Sequence, residues 1–456
     1  MKTFLYQWIK TNFVMLFNAA SLVATFAIAS VLGFAYWWVA ARQFPPEAIG
    51  FASAAISATS LLGIICMLGL GTLLIRELPR QEGKVVSLIS TALTLVACVG
   101  GGVGLLFAVV VPSLSVDLQP LRANIQNVAL FGVGVSVAAV ALVLDEALIG
   151  LLRSDLKLWR NTLFSSAKLV ALFVAGVWLF QRTGLTMYAT WVIGCVFSLA
   201  ALGGFAVWRG KWTGRIFLPH MGLLRELGPL ALQHHLLNLV FQVPAMALPV
   251  LVTVLVSATM NGWFYIAFLL ADMAYIVSYA LTTALYAASS ARPDTLAHKA
   301  RLTLGLAVVV CICVNCILLF GYKQLLGFFG PSYAQQGAWS LRILGLGVFP
   351  SIIKEHYIAI CRIQDRVTHA LLPLTIGALL EVGAAALGAR LGGISGLSLG
   401  YVIAVGIEAL YMSPVVYKIV RPIRTATEKE RQLPYTSYSS EASTVDTHAD
   451  KVGLKQ

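Results

Sequence analysis

The chain has 456 residues, 59% of them hydrophobic and 11% charged, and Lys plus Arg (32) outnumber Asp plus Glu (19) for a formal net charge of +13. Soluble domains carry about 25% charged residues, so most of this surface cannot face water and an ordinary soluble protein is excluded. The basic excess sits in short loops between long apolar runs, which points to membrane topology rather than to a nucleic-acid partner.

Phe4, Leu5, Trp8, Ile9 and Phe13, set beside Lys2 and Lys10, predict a short helix lying in the membrane interface. The run at 19–41 is too long for a signal-peptide core and reads as a retained span, with Tyr36, Trp37 and Trp38 as anchors at its far end. Further runs of about 20 residues, the length that crosses ~30 Å of hydrocarbon, follow at 49–75, 85–111, 128–152, 163–180, 186–208, 230–256, 263–288, 302–321, 338–360, 370–390 and 394–420. The expected fold is an all-α integral membrane protein with about twelve transmembrane helices.

A basic connector, WRGKWTGRIFLPHMGLLRELGP at 208–229, divides the spans into two sets. The expected organisation is a six-helix lobe at 1–208, a connector at 209–229, a second six-helix lobe at 230–420 and a tail at 421–456. The tail is rich in Ser and Thr and cannot bury enough apolar surface to fold alone, so it is expected to be disordered. Lys and Arg crowd one set of loops (Lys2, Lys10; Arg76, Arg80, Lys84; Arg153, Lys157, Arg160; Arg209, Lys211, Arg215, Arg225; Arg292, Lys299, Arg301; Arg362, Arg366). The alternate loops hold Arg42, Arg122, Arg182, Lys323 and Arg390, so both termini and the connector are expected in the cytoplasm.

The cysteines (Cys66, Cys98, Cys195, Cys311, Cys313, Cys316 and Cys361) fall mostly inside apolar runs with no His or carboxylate beside the Cys311–Cys316 cluster, so they read as packing residues. No pattern calls for a metal or a cofactor. An even number of spans in each half predicts parallel repeats about an axis along the membrane normal. Three local matches suggest the register: Asn18, Ser21 and Thr25 with His235, Asn238 and Gln242; Gly50 with Gly262; and Glu146, Ile149 and Arg153 with Glu355, Ile358 and Arg362.

Several stretches together resemble a known group. They are GFASAAISATSLLGIICMLGLGTLLIRELPR (50–80), LDEALIGLLRSDLKLWRN (144–161), LLRELGPLAL (223–232) and LLGFFGPSYAQQGAWSLRILGLGVFP (325–350). They are similar to landmarks of the oligosaccharide-flippase branch of the multidrug/oligosaccharidyl-lipid/polysaccharide (MOP) exporter superfamily, whose drug-efflux branch comprises the MATE transporters. The resemblance implies two six-helix lobes around a central cavity, alternating access, and a lipid-diphosphate-linked oligosaccharide as cargo in the cytoplasmic (inner) membrane. The first span lacks the acidic residue that the drug-efflux branch often carries there.

A charge at the bilayer centre costs ~2.5–3.5 kcal/mol on insertion scales, so each intramembrane charge calls for a reason. Asp272 shares a helical stripe with Tyr265, Phe268, Tyr275, Tyr279, Thr283 and Tyr286, suited either to lining a sugar-binding cavity or to a packed aromatic seam. Asn18, Ser21, Thr25, His235, Asn238 and Gln242 are further cavity candidates, and Arg76 could meet a diphosphate through paired hydrogen bonds. Asp145, Glu146 and Arg153, with Lys354, Glu355 and Arg362, are gate candidates or fixed pairs. Lys168, Arg342, Glu381 and Glu408 are intramembrane charges whose partners the sequence does not reveal.

The leading expectation is a flippase for a polyprenyl-diphosphate-linked oligosaccharide in surface polysaccharide assembly. Its partners are membrane lipids, H+ or Na+ as coupling ion, and polysaccharide-assembly proteins. The alternative is a cation-coupled exporter of small amphiphiles on the same fold. A membrane glycosyltransferase is disfavoured because the loops at 112–127 and 322–337 are short and nearly devoid of carboxylates.

Overall fold

A computed structural model describes residues 2–79, 85–178, 182–209, 221–290 and 295–421, with side chains described from Ser21 onward except at 22, 23, 221–234, 287 and 290. The centre of the expected connector (210–220), the expected tail and the side chain of Asn18 lie outside the described residues. Everything described is helix or short connection, as hydrocarbon demands, because a helix satisfies its own backbone N–H and C=O groups.

The elements are α1 (Lys2–Gln43), α2 (Pro46–Cys66), α3 (Leu70–Glu77), α4 (Val85–Val110), α5 (Ile125–Gly150), α6 (Ser154–Trp178), α7 (Gly184–Trp208), α8 (Met221–Leu255) and α9 (Ala258–Ser290). They continue as α10 (Leu296–Phe320), α11 (Tyr322–Gly327), α12 (Pro331–Gln336), α13 (Ala338–Leu346), α14 (Val348–Ile363) and α15 (Val367–Val420), with a short 3-10 segment at Val116–Leu121 before α5. Among the described residues eleven stretches are long and apolar enough to cross a membrane, α13 and α14 together making one of them. The last, α15, is two limbs joined at Gly392 and Gly393, where φ reaches +58° at Gly393. Counting the limbs separately gives the expected twelve spans.

Local sequence explains the ends. Pro46 opens α2 where its missing N–H is not needed, and Asn124 caps α5 by accepting from the Asn127 N–H at 2.8 Å. Two expectations change. The amphipathic N-terminal segment is continuous with the first span in α1 rather than a separate helix. The second run breaks into α2 and α3 at Leu68 and Gly69, both left-handed, a conformation that glycine adopts without a Cβ clash.

The two sets of spans form two lobes. In the first, α4 packs on α5, and α6 on α7 and α1; in the second, α15 packs on α8 and α14, and α9 on α10 and α14. Across the lobes, α2 lies against α8 and α9. At one end of this contact Gly50 meets the backbone of Ala258, and Gly262 meets the backbone of Pro46. A Cβ at Gly50 would stand 1.7 Å from the Ala258 carbonyl oxygen, and one at Gly262 would stand 2.0 Å from that of Pro46, so only glycine permits the approach.

These reciprocal contacts fix the repeat register, since Pro46 and Ala258 are separated by the same 212 residues as Gly50 and Gly262. The same spacing runs through the chain. α1 and α8 end 212 residues apart at Gln43 and Leu255, and α5 and α14 end 213 apart at Gly150 and Ile363. The left-handed residues Leu152 and Asp365 follow those helices, and the next N–H groups, of Arg153 and Arg366, return 2.8 Å to the carbonyls of Leu148 and Cys361. Arg153 therefore matches Arg366, not Arg362. The shifts suggested by the Asn18–His235 and Glu146–Glu355 matches give way to one nearly constant spacing, because helices and turns, not isolated polar residues, carry the repeat.

Candidate functional site

Midway along the spans a cavity of about 440 Å³ opens between the lobes. From the first lobe α2 contributes Ile56, Ser57 and Ser60; from the second come Phe241, Gln242, Ala245 and Met246 of α8. The face of α9 supplies Tyr265, Phe268, Asp272, Tyr275 and Tyr279, and α14 and α15 supply Ser351, Lys354, Glu355, Glu381 and Tyr401. The volume falls in the range of small-molecule sites, about 300–1,000 Å³. Ile56 and Phe268, and Ser60 and Asp272, are 212 residues apart, so the cavity sits where matching faces of the two repeats meet.

The charged groups are arranged unequally. Lys354 is buried and hydrogen-bonded to Glu381, with Glu408 at 2.9 Å on its other side, so two carboxylates share one ammonium. Glu355 accepts from the Ser278 hydroxyl at 2.5 Å. Asp272 is exposed to the cavity and forms no hydrogen bond or ion pair among the described residues. Tyr275 keeps its ring on the cavity wall by donating its hydroxyl to the Leu344 carbonyl at 2.8 Å. The first lobe carries Lys168 at the position matching Glu381, and its ammonium lies over the rings of Tyr36 and Phe164 at 5.1 and 4.6 Å.

One end of the cavity is shut by contacts between lobes. Buried Asn261 donates to the Gly50 carbonyl at 2.7 Å and to the Ser53 hydroxyl at 3.0 Å. Asp117 of the first lobe accepts from the Ala258 N–H at 2.8 Å, capping α9, and its negative charge suits the positive end of the helix dipole. Trp38 and Arg42 both donate to the Phe328 carbonyl, at 3.2 and 3.0 Å, and Trp38 stacks on the Phe328 ring. Toward the other end the α9 stripe continues through Tyr279 and Tyr286, which are 48% and 41% exposed, and so leads out of the cavity on the side of Arg362.

Of the cavity candidates, Gln242, Asp272, Tyr275 and Tyr279 line this space. Ser21 and Thr25 are buried, with Thr25 donating to the Ser21 carbonyl at 2.7 Å, and neither is on the wall. His235 is buried off the wall, and Asn238 accepts from Arg362 at 2.7 Å. Arg76 sits on α3, its side chain 45% exposed, beside Glu77 at 3.6 Å.

The gate candidates are tied within their own lobes. Asp145 pairs with buried Arg160 at 2.7 and 2.8 Å, Arg153 pairs with Asp155 at 3.0 Å, and the Glu146 side chain packs over Gly71. In the second lobe Glu355 accepts from Ser278, and Arg362 donates to Asn238 at 2.7 Å. Lys354 and Glu355 line the cavity rather than its end. Ser57, Ser60 and Tyr401 are wall residues that the sequence reading passed over; shifting Asp272 by the repeat spacing would have found Ser60.

With this geometry in hand, solved structures supply a decisive likeness. The inward-facing conformation of a multidrug resistance MATE family transporter of the MOP superfamily superposes with TM-score 0.69 at 14% identity, over 87% of this chain and 98% of that one. The chain has the MATE transporter fold. An outward-facing MATE family transporter of the same superfamily gives 0.58 at 13% identity, over 89% of this chain and 96% of that one. A MOP superfamily transporter from Pyrococcus furiosus, described as having a binding pocket of reverse polarity, also gives 0.58 at 13% identity, over 90% and 96%. No protein-family model matches the sequence, and no curated protein matches it.

Proposed function

We propose that this MATE-fold chain is an alternating-access flippase that moves a polyprenyl-diphosphate-linked oligosaccharide to the outer leaflet of the cytoplasmic (inner) membrane for O-antigen, capsule or exopolysaccharide assembly. The observation that carries this is the mid-depth cavity of tyrosines, hydroxyls and amide, shut at the Asn261 end and continued by exposed Tyr279 and Tyr286 toward the other. Sugar hydroxyls cannot enter hydrocarbon without replacing their water, and such a wall offers both hydrogen-bond partners and ring faces. The positive-inside orientation sets the Arg362 end in the cytoplasm, so this state loads from within and the connector at 209–229 is a cytoplasmic strap between lobes. The prenyl tail stays in lipid and leaves through a lateral opening between the first and eighth spans, α1 and α9. H+ or Na+ drives the cycle, and polysaccharide-assembly proteins receive the product.

Arg76 and Arg362 sit at the loading end, where a diphosphate would be met before the sugar reaches the cavity. Opening the cavity to the other side requires breaking the Asn261, Asp117 and Phe328 contacts, which span the lobes. Reconstitution with a fluorescent lipid-linked oligosaccharide tests the proposal. Leaflet exchange well above protein-free vesicles is expected, and exchange at the protein-free rate rejects it.

A second reading, export of small cationic amphiphiles, is favoured by one observation: a single lysine on the wall stands against Asp272, Glu355 and Glu381. It requires efflux of such compounds to vanish in Asp272→Asn while lipid-linked sugar is never moved.

A further inference from the structure

The cavity wall is too acidic for a neutral sugar to be its whole complement. Among the described wall residues Lys354 is the one cation, and it is already held between Glu381 and Glu408. Glu355 is engaged by Ser278. Asp272 alone faces the space with no partner, and the equivalent position in the first repeat is the neutral Ser60, so the fold itself does not ask for an acid there. On the same stripe, one helical turn or two away, stand Tyr265, Phe268, Tyr275 and Tyr279. A carboxylate flanked by aromatic faces matches an ammonium group, which takes an ion pair from the one and cation–π attraction from the others. Rings favour an organic ammonium over a bare metal ion, which prefers several oxygen ligands.

We infer that Asp272 and its flanking tyrosines form a subsite for a protonated amine, and that the transported saccharide carries a free amino group. This rests on the saccharide reading of the cavity and narrows it to amino sugars.

Purified chain in lipid nanodiscs is titrated with methyl glucosaminide, its N-acetylated counterpart, benzylamine and sodium chloride, by calorimetry at pH 7. Expected is roughly tenfold or tighter binding of the amino over the acetylated glycoside, the scale of one ion pair with ring contacts. Asp272→Asn abolishes that preference and Asp272→Glu keeps most of it. Equal binding of the two glycosides, or a preference that survives in Asp272→Asn, overturns the amine subsite while leaving saccharide transport standing. If benzylamine binds through Asp272 and neither glycoside binds, the amine subsite stands and the saccharide reading falls. Sodium that binds through Asp272 and excludes every amine assigns the carboxylate to a metal cation and overturns the inference.

Discussion

Gly50→Ala tests how the shut end is held. The new methyl would lie 1.7 Å from the Ala258 carbonyl oxygen, whereas ordinary contact begins near 3.4 Å, so α2 and the start of α9 must part locally by about 1.7 Å. That separation breaks the Asn261 hydrogen bonds to the Gly50 carbonyl and the Ser53 hydroxyl. At a net ~1 kcal/mol each, losing both shifts the balance toward the opposite-open state by about thirtyfold. Spin labels at Arg122 and Lys323, exposed at this end in different lobes, report the separation by pulsed electron resonance. A longer-distance population that grows severalfold or more is expected. An unchanged distance distribution in a folded, monodisperse Gly50→Ala protein would refute the assignment of this end as the seal.

Asp117→Ala removes the cap on α9 and should cost about 1 kcal/mol, raising the same long-distance population by less than Gly50→Ala does. Lys354→Met leaves Glu381 and Glu408 buried without a counter-charge and should destabilise the chain by about 3–5 kcal/mol in thermal unfolding; adding Glu381→Gln and Glu408→Gln should recover most of that loss. Arg160→Met strands Asp145 in the same way, and a cost of similar size is expected, with Asp145→Asn partly restoring stability. No recovery in either compensated variant would show that the lysine or arginine stem, not its charge, holds the helices.

Much of the fold was legible because hydrocarbon leaves few options: long apolar runs between basic loops became the spans. The break at Leu68 and Gly69 was harder to see, since its apolar residues continue the hydrophobic run and only the left-handed backbone interrupts it. For the site, the α9 stripe was readable because one helix carries it, and Asp272, Tyr275 and Tyr279 do line the cavity. Pairing was not readable. Lys354 finds Glu381 and Glu408 on another helix, and Asp145 passes over its near neighbour Arg153 for Arg160, choices set by how helices pack. Short polar matches misplaced the repeat for the same reason: Asn18 with His235 and Glu146 with Glu355 are chance resemblances on surfaces that diverged, while the backbone turns kept their spacing.

That spacing makes each half of the chain a built-in control for the other. Where one copy holds Ser60 its counterpart holds Asp272, and where one holds Lys168 the other holds Glu381. Transplanting Asp272→Ser asks the scaffold only for a side chain that its twin already accommodates, whereas Glu381→Lys would also bury a second ammonium against Lys354. Any change in behaviour then reports the chemistry peculiar to one copy, and a swap that cannot be tolerated marks a place where ancestry no longer guarantees interchangeability.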